Sequence, residues 1–329
     1  MKSFSLARSA STFGEYVIGI FLFLNLIVYG SLRGCGGEGK PRLGTAPAGA
    51  APLTVGAGAR ILRSRKEKGN VMDHMFRLDG KVAIVTGSSR GIGRAIAETM
   101  AGLGAAVVIS SRKIGPCEEV RDGIIAKGGK AIALACNTGS KDQLAELLRV
   151  TLAEYGKLDA VVANVAVNPH YGPLSTVSDE AWDKIMAVNI KSNLWLANMA
   201  LPEIAKQGGG SFTIISSIGA LSGNTLIPAY NISKLADIAL VQNLAVEWGP
   251  KKIRVNAILP GLIRTDFAKA LWENPDTLKI TEAATPLGRI GEVEDLGGVG
   301  AFLASPAAAY ITGQSIVVDG GCTTTSRFG

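Results

Sequence analysis

Tyr230-Asn231-Ile232-Ser233-Lys234 sets a phenol and an amine four residues apart at the start of an apolar stretch with helical spacing. On a helix that spacing stacks both side chains on one face. The chemistry it fits is proton transfer at a carbonyl: an acid must protonate the nascent alkoxide, and the reverse reaction needs a base. A free tyrosine titrates near ~10, and bringing it near 7 requires about 4 kcal/mol. A nearby ammonium in a desolvated pocket is the means expected here. Thirteen residues earlier Ser217 follows the run Thr213-Ile214-Ile215-Ser216. A hydroxyl at that strand end can bind a substrate oxygen and the developing alkoxide. Adjacent Ser216 is the competing choice. Tyr-x3-Lys alone is common on helix surfaces, so the reading depends on what else the chain brings to the same place.

A second constellation lies near the start of the regular sequence. The apolar run Val82–Thr86 leads into Gly87-Ser88-Ser89-Arg90-Gly91-Ile92-Gly93, and a helical pattern follows. A turn between a first strand and a first helix offers free backbone N–H groups and the helix dipole to a diphosphate. Gly87 permits the tight turn, Gly91 lets a phosphate approach the backbone, and Gly93 lets the helix pack closely. A carboxylate at the end of the second strand would bind a ribose 2′-hydroxyl and repel a 2′-phosphate. Here Ser110-Ser111-Arg112-Lys113 stands instead, with no acid before Glu118. Arg90, Ser111 and Arg112 together form a phosphate site, so the expected cofactor is NADP(H). A nicotinamide cation would then add to the lysine charge in lowering the Tyr230 pKa.

The elements that must position these groups alternate regularly from Phe76 onward. Short apolar or β-branched runs at Val82–Thr86, Ala106–Ser110, Ala131–Ala135, Ala160–Ala163, Ser211–Ser216, Arg254–Leu259 and Ser315–Asp319 are separated by helical patterns. Near-continuous apolar strands between helices imply a parallel sheet covered on both faces. The expected fold is a single α/β, Rossmann-type doubly wound domain over residues 76–329, with a seven-stranded parallel sheet.

Composition narrows the class further. Of 329 residues 47% are hydrophobic and 19% charged, which excludes a disordered chain. Residues 1–75 hold ten basic and four acidic residues and so carry six of the seven net positive charges. The body is nearly neutral, and no nucleic-acid surface is implied. Two His and four Cys without a Cys-x-x-Cys pair make a metal site improbable. Cys117 and Cys136 read as buried free thiols, the default of cytosolic chains, and a cytoplasmic location is expected.

Residues 1–75 form an N-terminal extension of different character. The apolar segment 16–32 falls short of the about 20 residues a membrane span needs. It leaves a membrane tether as the alternative location. Residues 44–59 are low-complexity and should be unstructured. Lys66-Glu67-Lys68-Gly69, just before Met72, can be encoded by a purine-rich stretch like a ribosome-binding site. Translation is therefore expected to begin at Met72 or Met75.

Taken in order, Thr86-Gly87-x3-Gly91-x-Gly93, Asn164, Asn189, Ser217, Tyr230-x3-Lys234 and Pro260-Gly261-x3-Thr265 resemble the short-chain dehydrogenase/reductase family over residues 77–322. The resemblance implies Tyr230 as general acid/base, Lys234 lowering its pKa and holding the nicotinamide ribose, and Ser217 orienting the carbonyl. It implies Asn189 in a water-linked proton relay to Lys234, and Asn164 steadying the central strand beside the cofactor. Gly87, Ser89, Arg90, Gly91, Ile92 and Gly93 would form the diphosphate turn. Asn137 would contact the adenine, Ser111 and Arg112 the 2′-phosphate, and Ile263 and Thr265 the carboxamide. Val165 departs from the family's small residue and adds bulk near the adenosine ribose. The strand segments look most like the NADPH-dependent carbonyl and retinal reductases, and Phe267, Ala268, Leu271 and Trp272 suggest an apolar lid. His170 and Tyr171 are read mainly as loop residues. The expected activity is reversible reduction of a ketone or aldehyde by a homotetramer. A 3-oxoacyl-carrier-protein reductase, using the basic rim Arg90, Arg94, Arg112, Lys113, Arg264 and Lys269, is the alternative. A catalytically inactive binding protein is the alternative of another class.

Overall fold

The computed structural model describes residues 74–324; residues 1–73 of the extension, with the apolar segment 16–32 and Met72, lie outside the described residues. The chain alternates strand and helix as its apolar runs require. The elements are β1 (Val82–Thr86), α1 (Gly91–Gly102), β2 (Ala106–Ser111), α2 (Ile114–Ala126), β3 (Lys130–Ala135), α3 (Lys141–Tyr155) and β4 (Ala160–Ala163). They continue with α4 (Asp179–Met186), α5 (Ser192–Lys206), β5 (Gly210–Ile215), α6 (Pro228–Trp248), β6 (Ile253–Pro260), α7 (Pro275–Ala284), α8 (Glu294–Ala304) and β7 (Ser315–Val318). The seven strands form one sheet in the order β3-β2-β1-β4-β5-β6-β7, and every neighbouring pair is parallel. The expected doubly wound fold is thus observed.

Both faces are covered because successive side chains on a strand point to opposite sides. Ala83, Val85, Val107 and Ile109 pack with Ile96 and Met100 of α1, Val120 of α2 and Leu296 of α8. Ile84 and Val108 pack on the other face with Leu144 of α3, Leu196 of α5 and Leu244 of α6. Asp159, just before β4, ties β1 and β4 together at their amino ends. Its carboxylate accepts from the Val82 N–H at 2.9 Å and from Lys81 Nζ at 3.0 Å, and Lys157 Nζ lies 3.1 Å away.

Strand order reverses between β1 and β4, since β2 lies on one side of β1 and β5 on the far side of β4. A crevice opens at such a switch point, beyond the carboxyl ends of the strands. The glycine turn, Asn164, Ser217 and Ile263 all follow carboxyl ends of strands in this region.

Candidate active site

The glycine turn is built for close approach. Gly87 and Gly91 adopt φ of +65° and +60°, a left-handed backbone that disfavours any side chain. A Cβ at Gly93 would fall 2.6 Å from both Asn164 Nδ2 and the Gly87 carbonyl oxygen. The amino end of α1 has no side-chain cap, which leaves first-turn N–H groups for an anion. Asn164 locks the turn to β4: its Nδ2 donates to the carbonyls of Thr86 and Gly87, each at 3.2 Å, and its backbone N–H to Thr86 Oγ1. Ser88 Oγ accepts from the Ser110 N–H and fastens the turn to β2. An uncapped, glycine-lined helix end fits the diphosphate of a dinucleotide.

The ribose end of this site is less uniform than the spacing suggests. Arg112 is exposed and has no ion-pair partner among the described residues. Ser111 Oγ donates to the Lys113 carbonyl and lies 3.1 Å from Cys117 Sγ. Arg90 pairs with Asp266 at 2.8 Å, in the segment after β6. Such an exposed pair contributes at most about 1 kcal/mol, so a stronger anion can displace it. Asn137 is exposed, and its Oδ1 already accepts the Gly139 N–H. The second lone pair of that oxygen remains for an adenine amino group.

Across the crevice α6 begins at Pro228 and presents Tyr230 and Lys234, both buried. Lys234 Nζ sits 5.6 Å from the Tyr230 ring centroid. It donates to the Ile215 carbonyl and to Asp237 Oδ2, each at 2.9 Å. The two serines after β5 separate cleanly. Ser216 is buried and its hydroxyl donates to the Lys234 carbonyl at 2.8 Å. Ser217 is only half-buried, accepts the Gly219 N–H at 3.0 Å, and lies near enough to the Tyr230 phenol to pull its pKa down. Ser217 is therefore the hydroxyl that faces the crevice.

The phenol is not acidified in the cofactor-free protein. Burial pushes the Tyr230 pKa up; Lys234 and Ser217 pull it down, while the charge of Asp237 and nearby Tyr171 oppose them. The net shift is upward, contrary to the lowering expected from the lysine. The main reason is burial, and the Asp237 carboxylate beside the ammonium offsets part of the lysine's pull. For Lys234 burial acts against the charge, but attraction to Asp237 and then Tyr230 outweighs it and raises the pKa.

Asn189 is buried in a π-helical turn, Ala187–Lys191, between α4 and α5. Its side chain exchanges two hydrogen bonds with the Val167 backbone, at 2.8 and 3.1 Å, and donates to Ser233 Oγ. Its carbonyl accepts from Asn193 Nδ2 at 2.7 Å, and the same amide group donates to Asp237 at 3.0 Å. Asn189 thus reaches Lys234 through Asn193 and Asp237.

A family model described as enoyl-(acyl carrier protein) reductase matches residues 87–323. The bovine protein named dehydrogenase/reductase SDR family member 4 is 40% identical over 269 residues, covering 82% of this chain and 96% of its own length. The chain belongs to the short-chain dehydrogenase/reductase family. Among solved structures, a 7α-hydroxysteroid dehydrogenase complexed with NADH and 7-oxo glycochenodeoxycholic acid is 36% identical with a TM-score of 0.73, covering 76% of this chain and 96% of that one. A gluconate 5-dehydrogenase from Burkholderia cenocepacia, in complex with NADP and tartrate, is 29% identical with a TM-score of 0.75, covering 78% and 100%.

In this short-chain dehydrogenase/reductase chain, the segment after β6 packs toward both the glycine turn and Tyr230. Ile263 is buried, and the Thr265 side chain comes within 3.5 Å of a Cβ placed on Gly91. Trp272 Nε1 donates to the Thr265 carbonyl at 2.8 Å. Phe267 packs against Tyr230 with ring centroids 6.0 Å apart. A cavity of about 240 Å³ lies past the carboxyl ends of β6 and β7, lined by Ile218, Leu262, Ile263, Leu287, Arg289 and Asp319 among others; neither Ser217 nor Tyr230 lines it. His170 keeps to a loop role: its Nε2 lies 3.3 Å from the Pro173 carbonyl and 3.4 Å from Thr176 Oγ1. Spacing alone does not single out Asp237 or Asn193. The one available signal is that Asp237 is the lone charged residue between Leu235 and Val246.

Proposed function

We propose that this short-chain dehydrogenase/reductase enzyme uses NADP(H) to reduce a ketone or aldehyde of moderate size, reversibly. The observation that carries the reading is the buried Tyr230 phenol, set beside Ser217 and Lys234 across the crevice from an uncapped glycine turn. The cofactor, when bound, supplies the hydride. Gly87, Ser89, Arg90, Gly91, Ile92 and Gly93 hold its diphosphate, and Ser111 and Arg112 take a 2′-phosphate. Ser217 Oγ donates to the substrate oxygen and orients the carbonyl. Tyr230 Oη passes its proton to that oxygen as the alkoxide forms, and Lys234 stabilises the phenolate left behind. Asn189 fixes the Val167 backbone and so shapes the substrate loop.

Support for a ketone comes from the apolar ring of Phe267 over Tyr230. The steroid dehydrogenase neighbour holds a 7-oxo compound. Its cofactor is NADH, whereas the gluconate dehydrogenase neighbour holds NADP. Cofactor choice here therefore rests on Ser111, Arg112 and the missing acid. An acidic carrier is disfavoured because the basic rim is largely neutralised. Arg90 pairs with Asp266, Arg94 with Glu98, Arg264 with Glu292 and Lys269 with Glu273. The test is NADPH and NADH oxidation against a carbonyl panel that includes acetoacetyl thioesters. NADPH-dependent turnover of ketones or aldehydes is expected; turnover of the thioesters alone would favour the carrier-protein reading.

A further inference from the structure

The network behind Lys234 contains a carboxylate that the proposed reaction does not use. Asp237 lies three residues past Lys234, one helical turn on, so both side chains share the buried face of α6. Both are withdrawn from solvent, with side-chain exposures of 1% for Lys234 and 0% for Asp237. Asp237 Oδ2 accepts from Lys234 Nζ at 2.9 Å, and Oδ1 accepts from Asn193 Nδ2 at 3.0 Å. Asn193 is itself held, because the same Nδ2 donates to the Asn189 carbonyl at 2.7 Å. Each oxygen of the carboxylate has its own donor, which fixes its orientation.

We propose that Asp237, steered by Asn193, is a positioning residue of the active site: its carboxylate holds the Lys234 ammonium in place and balances its charge toward Tyr230. The inference rests on the reading of Tyr230 as the proton donor. A carboxylate in contact with the ammonium turns a full positive charge beside the phenol into a short dipole. The phenol then keeps its proton to a higher pH than it would beside an unbalanced lysine. The titratable groups that act on Tyr230 are Lys234 and Asp237 on its own helix and Tyr171 from the loop after β4. Ser217 and Phe267 face it as neutral groups, and neutral Asn193 meets the far side of Asp237. In the free enzyme this arrangement keeps the acid loaded for reduction.

Asp237→Asn tests the idea, because it preserves shape and still offers Nζ an oxygen alongside the Ile215 carbonyl. Tyr230 is titrated in cofactor-free protein by phenolate ultraviolet absorbance, with Tyr230→Phe subtracted to isolate its signal. The expected result is a midpoint at least one pH unit lower in Asp237→Asn than in the unmodified protein. The alkaline decline of carbonyl reduction should move to lower pH by the same amount. Should Asp237→Asn not fold, Asn193→Ala releases the carboxylate and is expected to shift the midpoint in the same direction by less. A midpoint that stays within 0.3 units, or that rises, overturns the proposal (all as ratios of proton concentration, a unit being tenfold). The titration needs no turnover. An enzyme inactive on every carbonyl but showing the shift would refute the reductase reading and leave this inference standing.

Discussion

A phenol can serve as an acid at neutral pH only if it holds its proton in the resting site and can release it in the transition state. Tyr230 meets the first condition through burial and through the Lys234–Asp237 pair. The second falls to Ser217 and Lys234, which stabilise charge as it moves off the phenol. Tyr230→Phe keeps the ring against Phe267 and removes the proton, so kcat should fall by roughly 100- to 10,000-fold. Cofactor affinity, followed by fluorescence titration, should barely change, since the turn that takes the diphosphate belongs to α1. A variant retaining more than about a tenth of kcat would remove Tyr230 from the acid role. Because the Tyr230 pKa is raised, reduction should hold across neutral pH and decline only in alkali, while alcohol oxidation should accelerate as pH rises through the same midpoint. Steady-state profiles in both directions check that sign. At the other end of the crevice, Arg112 has no ion-pair partner among the described residues and is available to a 2′-phosphate, so NADPH should be preferred at least tenfold in kcat/KM, about 1.4 kcal/mol. Arg112→Asp should erode or reverse the preference; equal use of both cofactors by the unmodified enzyme would contradict it.

Elements matter here through how closely they can approach. The α1 end meets the turn only because Gly93 has no side chain; an alanine Cβ would press on Asn164 Nδ2 and the Gly87 carbonyl. Gly93→Ala should therefore displace the latch between β1 and β4 and weaken cofactor binding by tenfold or more, measured by the same titration, while helix content by circular dichroism stays unchanged. At the opposite end of β1 and β4 the clamp is Asp159. Burial raises its pKa, but the Val82 N–H, Lys81 and Lys157 more than offset that, so the folded-state value is depressed. A depressed carboxyl pKa stabilises the fold above the unfolded-state value of about 4 and loses that contribution as pH falls through the folded-state value. Asp159→Asn should cost about 2 kcal/mol near neutral pH, the scale of hydrogen bonds to a charged group. Denaturant melts should show the difference from wild type shrinking toward acid pH. A constant difference down to pH about 3 would show that the ionised carboxylate is not what stabilises this junction.

At the scale of the whole molecule, one surface of α6 remains apolar although the opposite surface carries the catalytic candidates. Ile232, Leu235, Ala239 and Val246 follow helical spacing and are exposed, as are Val317 of β7 and Tyr310 before it. A soluble chain that left so much apolar surface on a long helix would tend to associate. The proposed homotetramer would cover both surfaces and hold the site-bearing helix against a second copy. Light scattering at micromolar concentration should return four copies, and Leu235→Glu should lower the mass. A monomeric mass for the unmodified protein would reject the assembly.

Much of this was legible in the chain because it depends on neighbours in sequence. Alternating apolar runs and helical patterns mark each strand to within about a residue, since burial on both faces of a parallel sheet leaves that periodicity. The glycine turn and the Tyr-x3-Lys face are likewise local, set by backbone freedom and by the pitch of one helix. Ser216 and Ser217 could not be separated that way, because adjacent residues at a strand end point to opposite sides. Only packing against α6 showed that Ser216 is taken up by the Lys234 carbonyl. Arg90 meets Asp266 across 176 positions, and Asn193 meets Asp237 across 44. No spacing rule carries such pairs. The charge state of the site follows from them: a buried ammonium is as strong as its counter-ion allows, and which residue supplies that counter-ion was decided by the tertiary fold.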